Sequence, residues 1–343
     1  GHPKLSVSDS IHGNQMKVRV EQNQDAIFYF PYTMRIYEED LHYFDTTVWI
    51  DQRLNEFSFK SENEFAALIV DPDNVLLAEV EHEKSFDELL FQYENSVGFL
   101  NKYESFQTLI DSFSPRVINS GLTGEFLESS YYTIRELAIN FVEDEYDNLN
   151  DQYKKKIVQI AQNDPKSYTR GAALECLMAF NYNDLEFYRQ FLKDSSWYVN
   201  SYALEALMEF SDDDENIRSE FDDFSKSNDQ HVSSMVAEYF SKDSIDHFEW
   251  FSNKLYSMNN QHIYGILSYY GFELDKLASD EKQQKGINQL YYIATFNKYL
   301  INRVMAFQSL LVFSDREEVK NMLIEILNRE DSEQLKKWFQ SML

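Results

Sequence analysis

Glycine and proline are scarce, at 9 and 5 among 343 residues. Both interrupt regular structure, so a chain this poor in them must run largely in long elements, helices above all. There is one cysteine, Cys176, which excludes an internal disulfide framework. It lies in Ala173-Leu174-Glu175-Cys176-Leu177, a helical pattern in which a small packed thiol is expected. No stretch approaches about eighteen consecutive apolar residues, so no membrane-spanning helix is expected. Positive charge is in deficit: 31 Lys and Arg face 59 Asp and Glu, a formal charge of -28. A surface of that sign repels phosphate backbones and anionic lipid, which argues against nucleic acid and membrane surfaces as partners. Acidity of this kind serves solubility, and net charge by itself does not establish a cationic partner.

What is present is a heavy aromatic load, 27 Phe and 23 Tyr, within 43% hydrophobic and 26% charged residues. That is the profile of a folded protein, and the length suffices for two domains with their own cores. The chain opens Gly1-His2-Pro3 without an initiator Met, and the expectation is that a larger polypeptide continues upstream.

Two halves differ in period. Lys17-Val18-Arg19-Val20-Glu21 and Asn55-Glu56-Phe57-Ser58-Phe59-Lys60 alternate apolar and polar residues, as strands with one buried face do. Thr47 to Asp51, Ile27 to Phe30, Met34 to Tyr37, Phe65 to Val70 and Leu76 to Val80 are further β-type runs. His12-Gly13-Asn14 and Asp71-Pro72-Asp73-Asn74 supply turn chemistry between them. About seven short strands at such spacing predict a small antiparallel β-sandwich over residues 1–84. From residue 85 to 343 the period is helical, beginning with the stripe Phe86, Leu89, Leu90, Tyr93, Val97.

The helical half repeats. Ile134, Ala138, Ile139 and Val142 are followed by Ala173, Leu174 and Leu177, with Tyr168 just ahead. Val199, Ala203, Leu204 and Leu207 come next, then Val232, Val236, Ala237 and Phe240, and late in the chain Ala306, Phe307 and Leu310. Steps from Ala138 to Ala173, Ala203 and Val236 are 35, 30 and 33 residues. Asp164, Asp194 and Asp229 tend to open the unit, which predicts a helix pair per repeat with Asp or Ser capping the second helix. Such units resemble HEAT-type repeats and predict an α-α superhelix; an irregular helical bundle is the alternative.

The motifs point to no self-contained active site. His82-Glu83-Lys84-Ser85-Phe86 begins like the His-Glu-x-x-His of zinc peptidases, in which two histidines one helical turn apart hold a metal. Phe86 stands where the second ligand is needed, so the segment reads as a polar hinge into the first helix. His2, His12, His42, His231, His247 and His262 show no i, i+3 or i+4 pairing. Asp212-Asp213-Asp214-Glu215-Asn216 looks like a calcium loop, but Ile217 and Asp223 occupy its sixth and twelfth positions, where Gly and Glu are required. It reads as a solvated loop. No nucleophile elbow, phosphate loop or dinucleotide fingerprint is present. No residue is therefore assigned as catalytic, cofactor-binding or metal-binding.

The opening segment Gly1-His2-Pro3-Lys4-Leu5-Ser6-Val7, followed by Val18-Arg19-Val20-Glu21-Gln22-Asn23-Gln24, resembles the stretch after the catalytic domain in M1-family zinc aminopeptidases. Phe30-Pro31-Tyr32 and Val70-Asp71-Pro72 fit the same sandwich, and that family continues into a helical superhelix, the order found here. The resemblance implies a parent enzyme that removes N-terminal residues from peptides with one zinc. The His-Glu-x-x-His ligands and the Gly-x-Met-Glu-Asn segment of that family have no counterpart here. This chain is thus expected to be a non-catalytic C-terminal fragment, with zinc in an upstream catalytic domain of the same polypeptide. The resemblance further implies that the helical half caps the active site and meets peptide on its concave face. The alternative is a non-enzymatic sandwich and helical-repeat scaffold for protein-protein interaction.

Overall fold

The computed structural model describes residues 1–145, 151–211, 216–258 and 260–342. The acidic run Asp212 to Glu215 lies outside the described residues. Seven strands come first: β1 Lys4–His12, β2 Gln15–Gln22, β3 Phe30–Glu38, β4 Tyr43–Ile50, β5 Leu54–Lys60, β6 Phe65–Val70 and β7 Glu79–His82. They form two sheets, ordered β5-β2-β1-β7 and β4-β3-β6. Neighbours are antiparallel except β7, which runs parallel to β1. The alternation read from sequence is the pleat itself: Leu5, Val7, Met16, Val18 and Val20 meet Tyr32, Met34 and Ile36 in one buried core. Gly13, at φ +58°, turns β1 into β2 as the first residue of a two-residue turn.

Two expected strands are shorter than their β-type composition suggests. Residues 23–29 form a loop, because buried Gln22 bonds both the N–H (2.9 Å) and the C=O (2.9 Å) of Phe28. Arg53 clamps the same loop through the carbonyls of Gln22, Gln24 and Asp25, each at 2.9 Å. After Val70, the Asp71 carboxylate accepts from the N–H groups of Val75 (3.1 Å) and Leu76 (2.9 Å). That curls the chain and leaves a strand only from Glu79.

The period changes where the strands stop. Ser85 caps α1 Phe86–Asn95 with a full capping box: its Oγ accepts from the Glu88 N–H, and Glu88 accepts from the Ser85 N–H at 2.7 Å. There follow α2 Phe99–Ser120, α3 Leu122–Phe126, α4 Tyr132–Asp144, α5 Asp151–Asn163, α6 Ser167–Ala179, α7 Leu185–Phe191, α8 Trp197–Phe210, α9 Ile217–Phe224 and α10 Gln230–Lys242. The chain ends with α11 Phe248–Ser257, α12 Tyr264–Asp275, α13 Asp280–Phe296, α14 Leu300–Leu311, α15 Glu317–Arg329 and α16 Glu333–Met342. Two compact units result, Gly1–Tyr153 and Lys154–Leu343. The protein is an N-terminal β domain followed by helical repeats.

Within the second unit, α6, α8, α10, α12 and α14 pack side by side in that order, and α7, α9, α11, α13 and α15 lie behind them. The small residue of each repeat permits the close packing. At Gly271 of α12 a Cβ would stand 2.6 Å from the Ser309 carbonyl oxygen of α14, so only hydrogen fits. Every aliphatic and Phe repeat position read from the sequence, from Ile134 to Leu310, is buried, whereas Tyr168 is exposed.

A polar signature marks the same register. The side chains of Ser129, Asp164, Asp194, Ser227 and Asn297 each accept from the N–H two residues on, at 2.8 to 3.3 Å. The side chain six residues on, namely Arg135, Arg170, Asn200, Ser233 and Arg303, donates back to the carbonyl of that first residue at 2.8 to 3.2 Å. The first three steps, 35, 30 and 33 residues, are those of the apolar repeat. This refines the expected caps. Asp229 does cap α10, accepting from His231 and Val232, whereas Asp164 and Asp194 stand three residues before their helices and shape the turn instead. Arg170 also grips Asp194 in a fork at 3.0 and 2.8 Å, tying α6 to the turn before α8.

Candidate functional site

His82, His2, His247 and Cys176, singled out by the sequence, have structural roles in the fold. His82 ends β7, not a helix, and meets Asp9 at 2.7 Å with both side chains almost buried. Lys84 is half-buried beside it, donating to the Leu68 carbonyl at 3.1 Å and to Gln92. Burial pushes its pKa down to about 8, while Asp9, Glu88 and Glu104 pull it back up. His2 meets Glu79 at 2.6 Å, and His247 stacks on Phe240 with ring centroids 3.7 Å apart. Cys176 is buried in α6. Among the described residues no group of three or more His, Cys, Asp or Glu is placed to hold a metal. No helix among them is long and apolar enough to cross a membrane.

The open side of α6, α8 and α10 is where chemistry-bearing residues gather. Placing the three helices in repeat register aligns Tyr168, Tyr198 and His231 in one row and Glu175, Glu205 and Glu238 in another. On each helix the two positions are seven residues apart, two turns, so both fall on the same face and the rows run parallel about 10 Å apart. Between them lie Ala172, Tyr202 and Met235.

The first row is in contact with itself. The Tyr168 and Tyr198 rings are 5.0 Å apart between centroids, and the His231 ring meets Tyr198 at 5.6 Å, edge-on. Tyr198 and Tyr202 lie 5.1 Å apart on α8, with hydroxyls at 3.3 Å. Gly171 makes this possible, since a Cβ there would stand 2.5 Å from the Tyr198 ring. Tyr168 remains 56% exposed.

The second row is a line of like charges. Glu205 has its pKa raised by burial first, then by Glu175, Glu238 and Glu209. Glu238 is paired with Lys242 at 2.6 Å and accepts from the Tyr269 hydroxyl at 2.6 Å. Among the described residues no Lys or Arg is paired with Glu175 or Glu205. Tyr202 bridges the rows, its hydroxyl pKa driven up by burial, by its bond with Tyr198 and by neighbouring Glu175. A partly buried carboxylate flanked by others beside an aromatic floor forms a surface that a cation relieves, through charge pairing and contact with ring faces. An opening of about 1090 Å³ lies in the other layer, between α11 and α13, lined by Leu255, Tyr256, Tyr292 and Phe296 with Lys285 and Lys298. It does not follow the repeat register.

No protein-family model matches the chain, and no curated protein matches it by sequence. Solved structures do. The chain is similar to aminopeptidase A of Legionella pneumophila, solved in complex with aspartic acid, at 13% identity and a TM-score of 0.46. That match covers 99% of this chain and 48% of the aminopeptidase, so the chain spans about half of that protein's length. It is also similar to the YibA protein of Escherichia coli, at 14% identity and a TM-score of 0.48, over 75% of this chain and 92% of that one. These are distant likenesses of fold, and neither states what this chain does.

The two rows escaped the motif search because each residue is, by itself, an ordinary solvated side chain on an acidic protein. The signal was available in the repeat: Glu175, Glu205 and Glu238 are separated by 30 and 33 residues, as are Ala173, Ala203 and Val236. Reading the exposed positions in the register of the buried ones would have found them.

Proposed function

We propose that this chain is the non-catalytic, peptide-contacting C-terminal region of an M1-like zinc aminopeptidase. In this reading the face carried by α6, α8 and α10 receives polypeptide and restricts which peptides reach a zinc site supplied elsewhere in the same polypeptide. The observation that carries the reading is the pair of parallel rows, Tyr168, Tyr198 and His231 beside Glu175, Glu205 and Glu238. Exposed tyrosines give flat, rigid, amphipathic contact area at low entropic cost. Carboxylates without enough cations between them favour a ligand that brings positive charge. The order of sandwich then repeats, and the opening residues Gly1 to Val7 and Val18 to Gln24, support placing that surface in an aminopeptidase. Zinc and turnover belong, in this proposal, to residues outside this chain.

The test is binding of a fluorescein-labelled decapeptide of mixed sequence with three lysines, read by anisotropy. Binding that weakens at least about tenfold in Glu175→Gln/Glu205→Gln/Glu238→Gln, a loss near 1.4 kcal/mol, is the expected result. No binding by the wild-type chain sinks the reading. An immunoblot of source cells with serum against this chain then separates parent from scaffold: a band well above 40.7 kDa supports the aminopeptidase, and a band at that mass supports a free-standing interaction scaffold.

A further inference from the structure

The spacing of the two rows narrows the ligand. Side-by-side helices stand about 8–10 Å apart, and here they are close enough that Gly171 has no room for a Cβ against Tyr198. The three carboxylates of Glu175, Glu205 and Glu238 therefore recur at about that interval across the face. A β-strand is a poor match: its side chains alternate, so residues three apart, at about 10 Å, point to opposite sides. A polyproline II segment repeats every three residues and rises about 9 Å per turn, so residues i, i+3 and i+6 point the same way at the interval of the helices. Its other two edges carry the intervening residues, and proline-rich polyproline II segments dock on aromatic-lined surfaces.

We infer that the face binds a polyproline II segment with Lys or Arg at every third position, an inference that rests on the peptide-contacting reading above. Each basic side chain meets one rung of the carboxylate row, at Glu175, Glu205 and Glu238. The residues between them lie against Tyr168, Tyr198 and Tyr202, whose rings form a continuous floor over α6 and α8. Charge complementarity selects the basic edge, because Glu175 and Glu205 meet no basic side chain among the described residues and Glu205 is held among like charges. The ligand brings the positive charges that Glu175 and Glu205 lack, and Lys242 at Glu238 already shows an ammonium seated on one rung.

Three labelled peptides test it against the whole chain. One carries lysines at positions 1, 4 and 7 of a proline background, the second has the same composition with lysines at 1, 3 and 5, and the third has lysines at 1, 4 and 7 in a glycine-serine background. The expected result is that the first binds at least about tenfold more tightly than either other, equivalent to roughly one well-placed ion pair or the entropy of ordering a flexible backbone. That preference should fall to near unity in Glu175→Gln/Glu205→Gln and shrink as salt rises. Equal binding of all three peptides, lost together in the glutamine variant, overturns the polyproline register while leaving a cation-binding polypeptide surface intact. Failure of all three to bind overturns both this inference and the reading beneath it.

Discussion

Gly271→Ala sets two physical effects of opposite sign against each other. Gly271 lies inside α12, where alanine is intrinsically preferred over glycine by about 1 kcal/mol, so helix propensity alone predicts stabilisation. The added Cβ would stand 2.6 Å from the Ser309 carbonyl oxygen and 3.0 Å from its Cα, both backbone atoms of α14 that no rotamer change can move aside. Ordinary contact begins near 3.4 Å, so the two helices must separate by several tenths of an ångström over a fully buried interface. Overpacking of this kind costs about 1–3 kcal/mol. The hydrogen bond from the Ser309 hydroxyl to the Leu267 carbonyl spans the same interface, and its loss adds about 1 kcal/mol. The sum is a net destabilisation of about 2 kcal/mol, or a fall of about 4–8 °C in Tm for a unit of this size. Thermal and urea unfolding followed by far-ultraviolet circular dichroism would measure it. Gly124→Ala in α3 is the control, because nothing lies within 4 Å of its Cβ, and it should leave stability unchanged or raise it. A Gly271→Ala protein that melts at or above the wild type refutes the claim that backbone approach sets the spacing of this layer.

Two further outcomes follow from buried charges. Arg170 and Asp194 form a forked pair that is about 15% exposed on each side; removing one partner by Arg170→Met should cost about 3 kcal/mol. The double variant with Asp194→Asn should cost at least about 1 kcal/mol less than the sum of the singles, and strict additivity in urea titrations would exclude a coupled pair. Lys84 titrates near 8 in the folded protein against an ordinary 10.5. Below pH 8 both folded and unfolded states hold the proton and the full cost of burying the charge is present. Between about 8 and 10.5 the folded state has released a proton that the unfolded state keeps, so this contribution to stability rises with pH. Relative to Lys84→Met, the wild type should gain roughly 3 kcal/mol between pH 7 and 10.5, and parallel stability curves for the two proteins would refute the assignment.

Local pattern carried much of this protein. Strand alternation and the later 3.6-residue period are properties of neighbouring residues, so the change of architecture near Lys84 and Ser85 was legible, as were the 35-, 30- and 33-residue steps of the repeat. The same local rules misjudged residues 27–29 and 76–78, where β-type composition is overruled by the hydrogen bonds of Gln22, Arg53 and Asp71 to backbone groups. The face of α6, α8 and α10 depended on tertiary structure altogether. Glu175, Glu205 and Glu238 are about thirty residues apart along the chain, too far to interact through local geometry. Side-by-side packing of three helices partly buries Glu205 and brings its neighbours' carboxylates near, which together raise its pKa, and sets Tyr168 against Tyr198. Periodicity depends on which side chains prefer to be inside, and that is written residue by residue. The chemistry of an exposed row depends on distances between elements, and only packing sets those.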